Sequence, residues 1–178
     1  PFSSSTGKET SLIDALFTST SALCVTGLST VNTLAHWSFW GKCVILFLIQ
    51  IGGIGFMTIV TSILVILGKK ITLKERIVMQ ESFNLDTFQG MVSFTKKIVK
   101  GTLFFETLGA ILLSLRFIPD FGFSKGVLYG FFHSISAFCN AGFDILGNFS
   151  SLVPYNSNIV VIMVASALII IGGLGFTV

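Results

Sequence analysis

A pattern of small residues and cysteine that ends at a glycine occurs twice in this chain, within 18–33 and again within 133–148. At a constant offset, the matching residues are Ser21, Ala22, Cys24 and Gly27 in the first copy and Ser136, Ala137, Cys139 and Gly142 in the second. Each copy precedes an apolar segment that carries Gly-Gly-x-Gly-Phe, at Gly52–Phe56 and Gly172–Phe176. An internal repeat constrains the architecture more than any single segment does. We therefore predict a unit of short helix, glycine break and long helix, used twice.

The composition places the chain in a membrane. Hydrophobic residues make up 52% of the 178 residues and charged residues only 11%, whereas a soluble domain carries about 25% charge. Most of the 11 Lys and Arg lie between Lys69 and Lys100, beside apolar segments, and such clustering marks the cytoplasmic side. The same placement argues against nucleic-acid binding. We predict an all-α, multi-pass protein of the cell membrane.

The helix in each copy of the repeat is too short to cross a bilayer. Ser11–Asp14 has the S-x-x-D form of a capping box, which predicts a helix that runs to Leu23 or Cys24. Its length of about 18 Å falls short of a hydrocarbon core of about 30 Å. The second copy predicts a similar helix over Leu128–Cys139, with a weaker cap at Ser124. Because non-helical backbone persists at membrane depth only where it packs in protein or lines water, we predict two re-entrant loops.

Three longer apolar segments predict membrane-spanning helices, at Cys43–Leu67, Ile98–Ile118 and Ile159–Val178. The glycines of Gly-Gly-x-Gly-Phe indicate either close helix packing or a hinge. Trp37 and Trp40 precede the first span and are typical of a membrane interface. Residues 1–10 are predicted to form an exposed lead-in loop. The segments divide the chain into a first repeat over 1–67, a cytoplasmic linker over 68–97 and a second repeat over 98–178.

The order of these segments puts both glycine breaks on one side of the membrane, because the chain crosses twice between them. We predict that residues 30–38 and 147–156 are external and that the repeats are parallel. Parallel repeats of half-helix, loop and span are the plan of a cation channel, in which backbone carbonyls form the selectivity filter. The half-helices direct their partially negative C-terminal ends at the pore.

Four stretches together point to a family: Thr18–Asn32 with its V-T-G-L core, IQIGGIGFMT at Ile49–Thr58, LGKKITLKER at Leu67–Arg76 and HSISAFCNAGF at His133–Phe143. They closely resemble the Trk/Ktr/HKT superfamily of K⁺ transporters, and within it the pore-forming membrane subunit of the Ktr (KtrB-like) type. The resemblance covers almost the whole chain and implies four M1–pore helix–filter loop–M2 repeats in the complete protein. Since the chain begins at Pro1 and ends in an apolar run at Val178, we expect it to be part of a longer polypeptide that holds the first two repeats.

The resemblance also implies which residues hold the ion, through main-chain oxygens around one glycine per filter loop. Carried over, the ion-binding residues are Val25, Thr26 and Gly27 in the first loop and Asn140, Ala141 and Gly142 in the second, with Leu28, Phe143 and Asp144 flanking them. The only metal implied is K⁺ itself, held by these carbonyls. We predict that the two glycines are the residues least tolerant of substitution, because glycine permits positive φ and a close approach of the backbone to the ion.

Polar residues near the loops leave alternatives open. Asp144 either raises the local cation concentration at the pore mouth or caps a loop. Glu106 is an ionisable group within a span and therefore a candidate for function; a transport role and a buried partner such as His133 are both open. His133 itself is expected to pack and form hydrogen bonds on the second short helix. Three cysteines in apolar surroundings are expected to be buried: Cys24, Cys43 and Cys139.

We predict K⁺ transport by a pore-forming subunit. The alternatives are a Na⁺ transporter of the same superfamily and a non-conducting membrane anchor that binds a cytosolic partner through residues 68–97. No catalytic triad, phosphate-binding loop or carboxylate pair occurs in the sequence, so neither an enzyme nor a cofactor is expected. Coupling to Na⁺ stays open. The resemblance implies a homodimer of the full-length subunit in the lipid bilayer, bound to a cytosolic nucleotide-binding (KtrA-like) regulatory ring.

Overall fold

The computed structural model describes residues 3–5, 9–55, 58–59, 63, 77, 91–147 and 150–174. Within these ranges the secondary structure is helical and contains no β-strand, which confirms the predicted all-α fold class. The helices are α1 (Leu12–Leu23), α2 (Thr33–His36), α3 (Phe39–Ile54), α4 (Met91–Phe121), α5 (Phe123–Phe138) and α6 (Ile159–Leu174), with a 3₁₀ turn at Val153–Tyr155 before α6.

Helix α1 has the short length that the sequence predicts. Its 12 residues rise about 18 Å. The predicted capping box does not form, because the side chain of the N-cap residue Ser11 makes no capping hydrogen bond. The Ser11 carbonyl oxygen nevertheless accepts the first helical bond, from Ala15 N at 3.0 Å. The buried side of the helix consists of Thr18, Ser21 and Ala22.

The lead-in segment is not the fully exposed loop that we predict from its composition. Ser4 is only 7% exposed and pairs with Trp37 in an isolated antiparallel bridge. Beside it, Ser38 N donates to Ser3 O at 2.8 Å. Backbone pairing therefore holds this polar segment against the start of α3. The two tryptophans differ as a result, since Trp37 is buried whereas Trp40 is 70% exposed.

Helix α3 is shorter than the continuous span predicted for Cys43–Leu67. Ser38 caps its start, where Ser38 Oγ accepts a hydrogen bond from Gly41 N at 3.2 Å. The helix ends at Ile54 because Gly55 adopts φ 90°, which an α-helix cannot continue through. The prediction of one unbroken helix is therefore wrong, since the helix is broken at Gly55. A hinge at this motif stays a prediction. Most of residues 56–90, with the basic cluster of the predicted linker, lie outside the described residues.

Helix α4 extends beyond both predicted ends of its span, Ile98 and Ile118. It runs for 31 residues and passes through Pro119 in its last turn, because a proline removes one hydrogen bond without forbidding a helical φ. Residues 91–97, assigned to the linker from sequence, are already helical. Among the described residues, Ser93–Phe121 is the one helix long and apolar enough to cross a membrane. Helices α3 and α6 have 16 residues each.

Helix α5 begins earlier than the predicted Leu128–Cys139. Gly122, with φ 79°, reverses the chain directly after α4, and α5 starts at the next residue. No side-chain cap is present, so the predicted cap at Ser124 is wrong and Ser124 lies inside the helix. The sequence missed this start because a glycine reversal needs no capping side chain.

Helices α4 and α5 pack closely along a glycine seam on α5. A methyl group added to Gly126 would lie 2.6 Å from the backbone nitrogen of Ile118, and one added to Gly130 would lie 2.7 Å from that of Ser114. This small-xxx-small spacing lets two helix backbones approach, as in membrane proteins. The core around this seam includes the fully buried side chains of Leu113, Phe117 and Phe132.

A polar cluster joins the end of α4 to the loop before α6. Asp120 Oδ2 accepts hydrogen bonds from Arg116 Nη1 at 2.9 Å and from the Tyr155 hydroxyl at 2.6 Å. The Arg116 guanidinium carbon lies 5.3 Å from the centre of the Tyr155 ring. Burial, the hydrogen bond to Asp120 and the charge of Asp120 together raise the pKa of Tyr155 to about 12, although the charge of Arg116 acts in the opposite direction. The hydroxyl therefore keeps its proton and donates at neutral pH.

We expect this cluster to make stability depend on alkaline pH. The folded-state pKa of Tyr155, about 12, exceeds its ordinary value of 10.0, so the unfolded chain loses this proton first. The stabilisation is complete below pH 10 and is lost as pH rises towards about 12. Thermal unfolding of the purified complete protein from pH 8 upwards checks this. In Tyr155→Phe the melting temperature at neutral pH should be lower and its alkaline decline shallower; identical declines would exclude the Tyr155–Asp120 bond.

Candidate ion-binding site

Helix α1 ends in a Schellman motif. Val25 N donates to Ala22 O at 3.3 Å, and Thr26 N donates to Ser21 O at 2.9 Å. These two bonds satisfy the last carbonyl groups of the helix and turn the chain out of it. The residue in the left-handed position of this motif is usually glycine. Here it is Val25, with φ 56°.

Helix α5 ends in the same way, at the matching positions of the repeat. Asn140 N donates to Ala137 O at 3.0 Å, and Ala141 N donates to Ser136 O at 2.7 Å. Asn140 occupies the left-handed position, with φ 57°. The two copies therefore share backbone geometry as well as sequence. We call residues 24–28 the first loop and residues 139–143 the second loop.

The backbone alternates in handedness along both loops. Positive φ occurs at Val25 and Gly27 in the first loop, with values of 56° and 78°, and at Asn140 and Gly142 in the second, with values of 57° and 71°. Thr26 and Ala141, which lie between these residues, do not have positive φ. Alternation of left- and right-handed residues directs successive N–H groups to one side of the chain. The same alternation in the sign of φ thus recurs at matching positions of the two loops.

The left-handed valine is the less expected of the two non-glycine residues. Asparagine tolerates this region, but a β-branched residue there is a genuine outlier. Such a conformation costs about 1–3 kcal/mol and persists only where its surroundings impose it. The surroundings of Val25 include Gly52 of α3, where an added methyl group would lie 2.8 Å from Val25 Cγ2. Strain held in place in this manner is typical of functional loops.

The two loops touch each other through their backbones. A methyl group added to Gly27 would lie 2.4 Å from Ala141 O and 3.2 Å from Gly142 Cα. One added to Gly142 would lie 3.7 Å from Gly27 Cα. Glycine at position 27 is therefore needed for the close approach as well as for its φ. Of the residues predicted to hold the ion, the fold thus places Gly27 directly beside Ala141 and Gly142.

The C-terminal ends of the short helices α1 and α5 pack closely against the double glycines of α3 and α6. An added methyl group would lie 2.1 Å from Leu23 O at Gly52, and 1.8 Å from Phe138 O at Gly172. At Gly53 it would lie 2.4 Å from Cys139 Sγ. The double glycine of the first motif thus shows the close packing that the sequence left open, and Gly55 after it ends α3.

The flanking residues have different environments. Leu28 is 59% exposed, whereas Phe143 is 3% exposed, and Phe143 O accepts a hydrogen bond from Ser136 Oγ at 2.7 Å. Asp144 Oδ2 accepts a hydrogen bond from Ser151 N at 2.5 Å. This bond supports the loop-capping alternative for Asp144. A cavity of about 210 Å³ lies beside the second loop, between Asn140, His133 and α6.

Glu106 does not pair with His133, the buried partner that the sequence suggests. Its carboxylate oxygens accept hydrogen bonds from Gln50 Nε2 at 2.9 and 3.0 Å, and His133 is not its partner. His133 Nδ1 lies 2.7 Å from Tyr129 O, and its ring packs edge-on against Phe117. His133 therefore packs and forms a hydrogen bond on α5, as we expect from the sequence.

The three cysteines do not share the buried environment predicted for them. Cys139 is buried, Cys43 is intermediate and Cys24 is exposed. Cys139 packs against Gly53 of α3, and its Sγ lies 3.8 Å from Glu106 Oε1. Cys24, at the matching position of the first loop, has no such packing among the described residues, which explains why its prediction is wrong.

Residues 2–178 match the TrkH family, described as a cation transport protein. The chain belongs to the TrkH family. It is 49% identical over 178 residues to the potassium/sodium uptake protein NtpJ of Enterococcus hirae, a match that covers 100% of this chain and 39% of NtpJ. It is 45% identical over 174 residues to the Ktr system potassium uptake protein B of Bacillus subtilis, covering 98% of this chain and 39% of the relative.

Membership of the TrkH family confirms the resemblance seen in the motifs, and the members to which the chain is similar are cation transport proteins rather than enzymes. The chain spans 39% of the length of each of these two relatives. In the part of the TrkH chain that the structure describes, no group of three His, Cys, Asp or Glu side chains could hold a metal ion.

Sequence reasoning missed two polar contacts of this TrkH protein. The bond between Gln50 and Glu106 joins residues far apart in the chain. The only signal for it is that Gln50 is the one amide and Glu106 the one acid of their predicted spans. The bond from Ser136 to the Phe143 carbonyl closes the second loop on itself. Ser21 matches Ser136 in the repeat, but its hydroxyl is buried without a hydrogen-bond partner among the described residues.

Proposed function

We propose that this chain supplies two of the filter segments of a pore through which K⁺ crosses the membrane. The observation that carries the proposal is the contact between two glycine loops of alternating backbone handedness, at Gly27 and Ala141. Repeated carbonyl groups on one side of each loop can replace the hydration shell of a cation. Cation transport by the TrkH family supports the same conclusion.

In this proposal the ion contacts main-chain oxygens rather than side chains. The ligands are the carbonyl oxygens of Val25, Thr26, Gly27, Asn140, Ala141 and Gly142. Helices α1 and α5 end at the two loops, and the C-terminus of a helix carries about half a negative charge. A dehydrated cation is stabilised there without a formal charge on the protein. Asp144, held in its loop by Ser151 N, adds negative potential near the second loop.

The complete protein provides the rest of the pore. Because the chain spans 39% of the length of its relatives, two filter segments form part of a ring, and further repeats of the same kind close it. Helices α3, α4 and α6 act as membrane-spanning segments of a multi-pass protein. By resemblance to the Ktr type, the complete subunit forms a homodimer that binds a cytosolic nucleotide-binding ring.

Sodium is the second candidate ion. The name of the E. hirae relative joins potassium and sodium, whereas that of the B. subtilis relative gives potassium alone. Glycine at both loop centres favours K⁺, because a side chain there would disturb the carbonyl groups on which selectivity depends. Na⁺ is then a coupled or weakly competing ion rather than the main substrate.

Uptake by whole cells tests the proposal. The complete protein, expressed in cells that lack their own K⁺ uptake systems, should restore growth at low external K⁺ and take up K⁺ in preference to Na⁺. An anchor without a pore would restore neither. Uptake of Na⁺ in preference to K⁺ would replace K⁺ by Na⁺ as the substrate, and absence of uptake of either ion in correctly inserted protein would overturn the proposal.

Cysteine labelling tests the membrane topology that the proposal requires. Single cysteines introduced at Thr30 and Asn156 of the cysteine-free complete protein should react with an impermeant reagent added outside the cell. A cysteine at Thr72 should react only after the membrane is opened, since the basic cluster around it marks the cytoplasmic side. Reaction of position 72 from the outside would contradict the parallel arrangement of the repeats.

A further inference from the structure

Glu106 is a buried acid that no role described so far uses. It lies on α4, within the segment long enough to span a membrane, and is 3% exposed. Among the described residues the only salt bridge joins Arg116 to Asp120, so Glu106 has no cationic partner there. An ionisable group within a membrane is costly and is retained for a function.

The side chain of Glu106 connects the two repeats. Its carboxylate accepts hydrogen bonds from Gln50 Nε2 on α3, at 2.9 and 3.0 Å. Its backbone carbonyl accepts a hydrogen bond from Ser134 Oγ on α5, at 2.7 Å. Gln50 lies two residues before Gly52, the residue that receives the end of α1. One residue therefore ties the helix behind the first loop to the helix that leads into the second loop.

The same carboxylate also reaches the start of the second loop. Cys139 Sγ lies 3.8 Å from Glu106 Oε1, within reach of a weak S–H donor. On its other side the sulfur packs against α3, where a methyl group added to Gly53 would lie 2.4 Å from it. Cys139 is thus held between α3 and Glu106. The next residue is Asn140, in the left-handed position of the second loop.

We propose that Glu106 is a positioning residue for ion selectivity, which holds the second loop in register with the first through Cys139 and Gln50. The inference rests on the proposed function, because it assigns the selectivity to the carbonyl groups of these loops. Selectivity depends on the number and placement of those groups, and the two loops touch at Gly27 and Ala141. A shift of the peptide after Cys139 would therefore move the carbonyl groups of one loop against those of the other.

Two substitutions of Glu106 separate positioning from mere packing. Glu106→Met keeps the approximate length of the side chain and removes both acceptor oxygens. Glu106→Gln keeps one acceptor for Cys139 and an amide that can pair with the Gln50 amide. In the complete protein, we expect Glu106→Met to lower the uptake ratio of K⁺ to Na⁺ about tenfold, equivalent to about 1.4 kcal/mol. Glu106→Gln should stay within about threefold of the wild-type ratio, about 0.7 kcal/mol on the same scale.

Substitutions of Cys139 give an independent second pair. Cys139→Ser retains a donor towards Glu106 and should keep the wild-type ratio, whereas Cys139→Ala removes the donor and should lower it. Membrane abundance and melting temperature are measured for every variant, so that a change in selectivity is separated from a loss of folded protein. If Glu106→Met does not fold, the serine and alanine pair decides alone.

The outcomes distinguish this inference from the proposed function. Wild-type protein that takes up no K⁺ would contradict the proposed function itself. Wild-type protein that prefers K⁺, with an unchanged ratio in folded Glu106→Met and Cys139→Ala, would overturn only the positioning role. Equal losses in Glu106→Met and Glu106→Gln would also overturn it, because the charge of Glu106 rather than its hydrogen bonds would then set selectivity.

Discussion

Replacing Gly27 by serine is expected to lower the uptake ratio of K⁺ to Na⁺ by about tenfold or more, on the scale of about 1.4 kcal/mol per factor of ten. Two physical effects act together. Gly27 has φ 78°, where a non-glycine residue costs about 1–2 kcal/mol. Its new Cβ would also lie 2.4 Å from Ala141 O, so the second loop must move. The carbonyl groups proposed to bind the ion are displaced in both loops.

Gly142 provides the matched comparison within the same protein. Its φ of 71° imposes a similar backbone cost, but an added Cβ would meet nothing closer than Gly27 Cα at 3.7 Å. Gly142→Ser should therefore lower the ratio less than Gly27→Ser does. The repeat alone predicts equal effects for the two glycines, and the contact between the loops is what makes them unequal.

The measurement is initial uptake of K⁺ and of Na⁺ by cells that express each variant of the complete protein. Gly101→Ala serves as the control, since it adds a methyl group outside both loops at a position where that group meets nothing within 4 Å. This control should keep the wild-type ratio. Unchanged selectivity in both glycine variants, at normal membrane abundance, would show that the two loops are packing elements and not the filter.

The sequence predicts those structural features that depend on residues close together in the chain. The repeat predicted two short helices broken before a glycine, and α1 and α5 end in matching hydrogen bonds at Val25 and Asn140. Composition predicted the all-α class. Helix boundaries were less predictable, because single glycines set them: Gly55 ends α3 and Gly122 starts α5 directly after α4.

Contacts between distant segments could not be predicted from spacing. The approach of Gly27 to Ala141 and the bond from Gln50 to Glu106 both depend on how the two repeats pack. Propensity also argues against the left-handed Val25, since a valine rarely adopts positive φ. Only resemblance placed this residue in an ion-binding loop. The conformation is imposed by tertiary packing, which a single sequence does not encode in any local pattern.

Alanine at Gly52 or at Gly172 is expected to prevent correct folding of the complete protein. The added methyl groups would lie 2.1 Å from Leu23 O and 1.8 Å from Phe138 O. Both contacts are with backbone oxygens at the ends of α1 and α5, which cannot rotate away as a side chain can. Overpacking a core by a methylene costs about 1–3 kcal/mol, and a clash with fixed backbone at this distance exceeds the usual case. Folded protein recovered from membranes should fall severalfold for each variant.

Gly101→Ala is the control for this pair, because it makes the same chemical change in a helix without a clash. A methyl group added to Gly101 in α4 meets nothing within 4 Å, and alanine stabilises a helix interior over glycine by about 0.5–1 kcal/mol. Its melting temperature should equal or exceed that of the wild type, measured by thermal unfolding after size-exclusion chromatography. Normal yield and melting temperature for Gly52→Ala would mean that α3 does not contact the end of α1. The contact between that helix end and the double glycine, which also holds Val25 in its strained conformation, would then have to be abandoned.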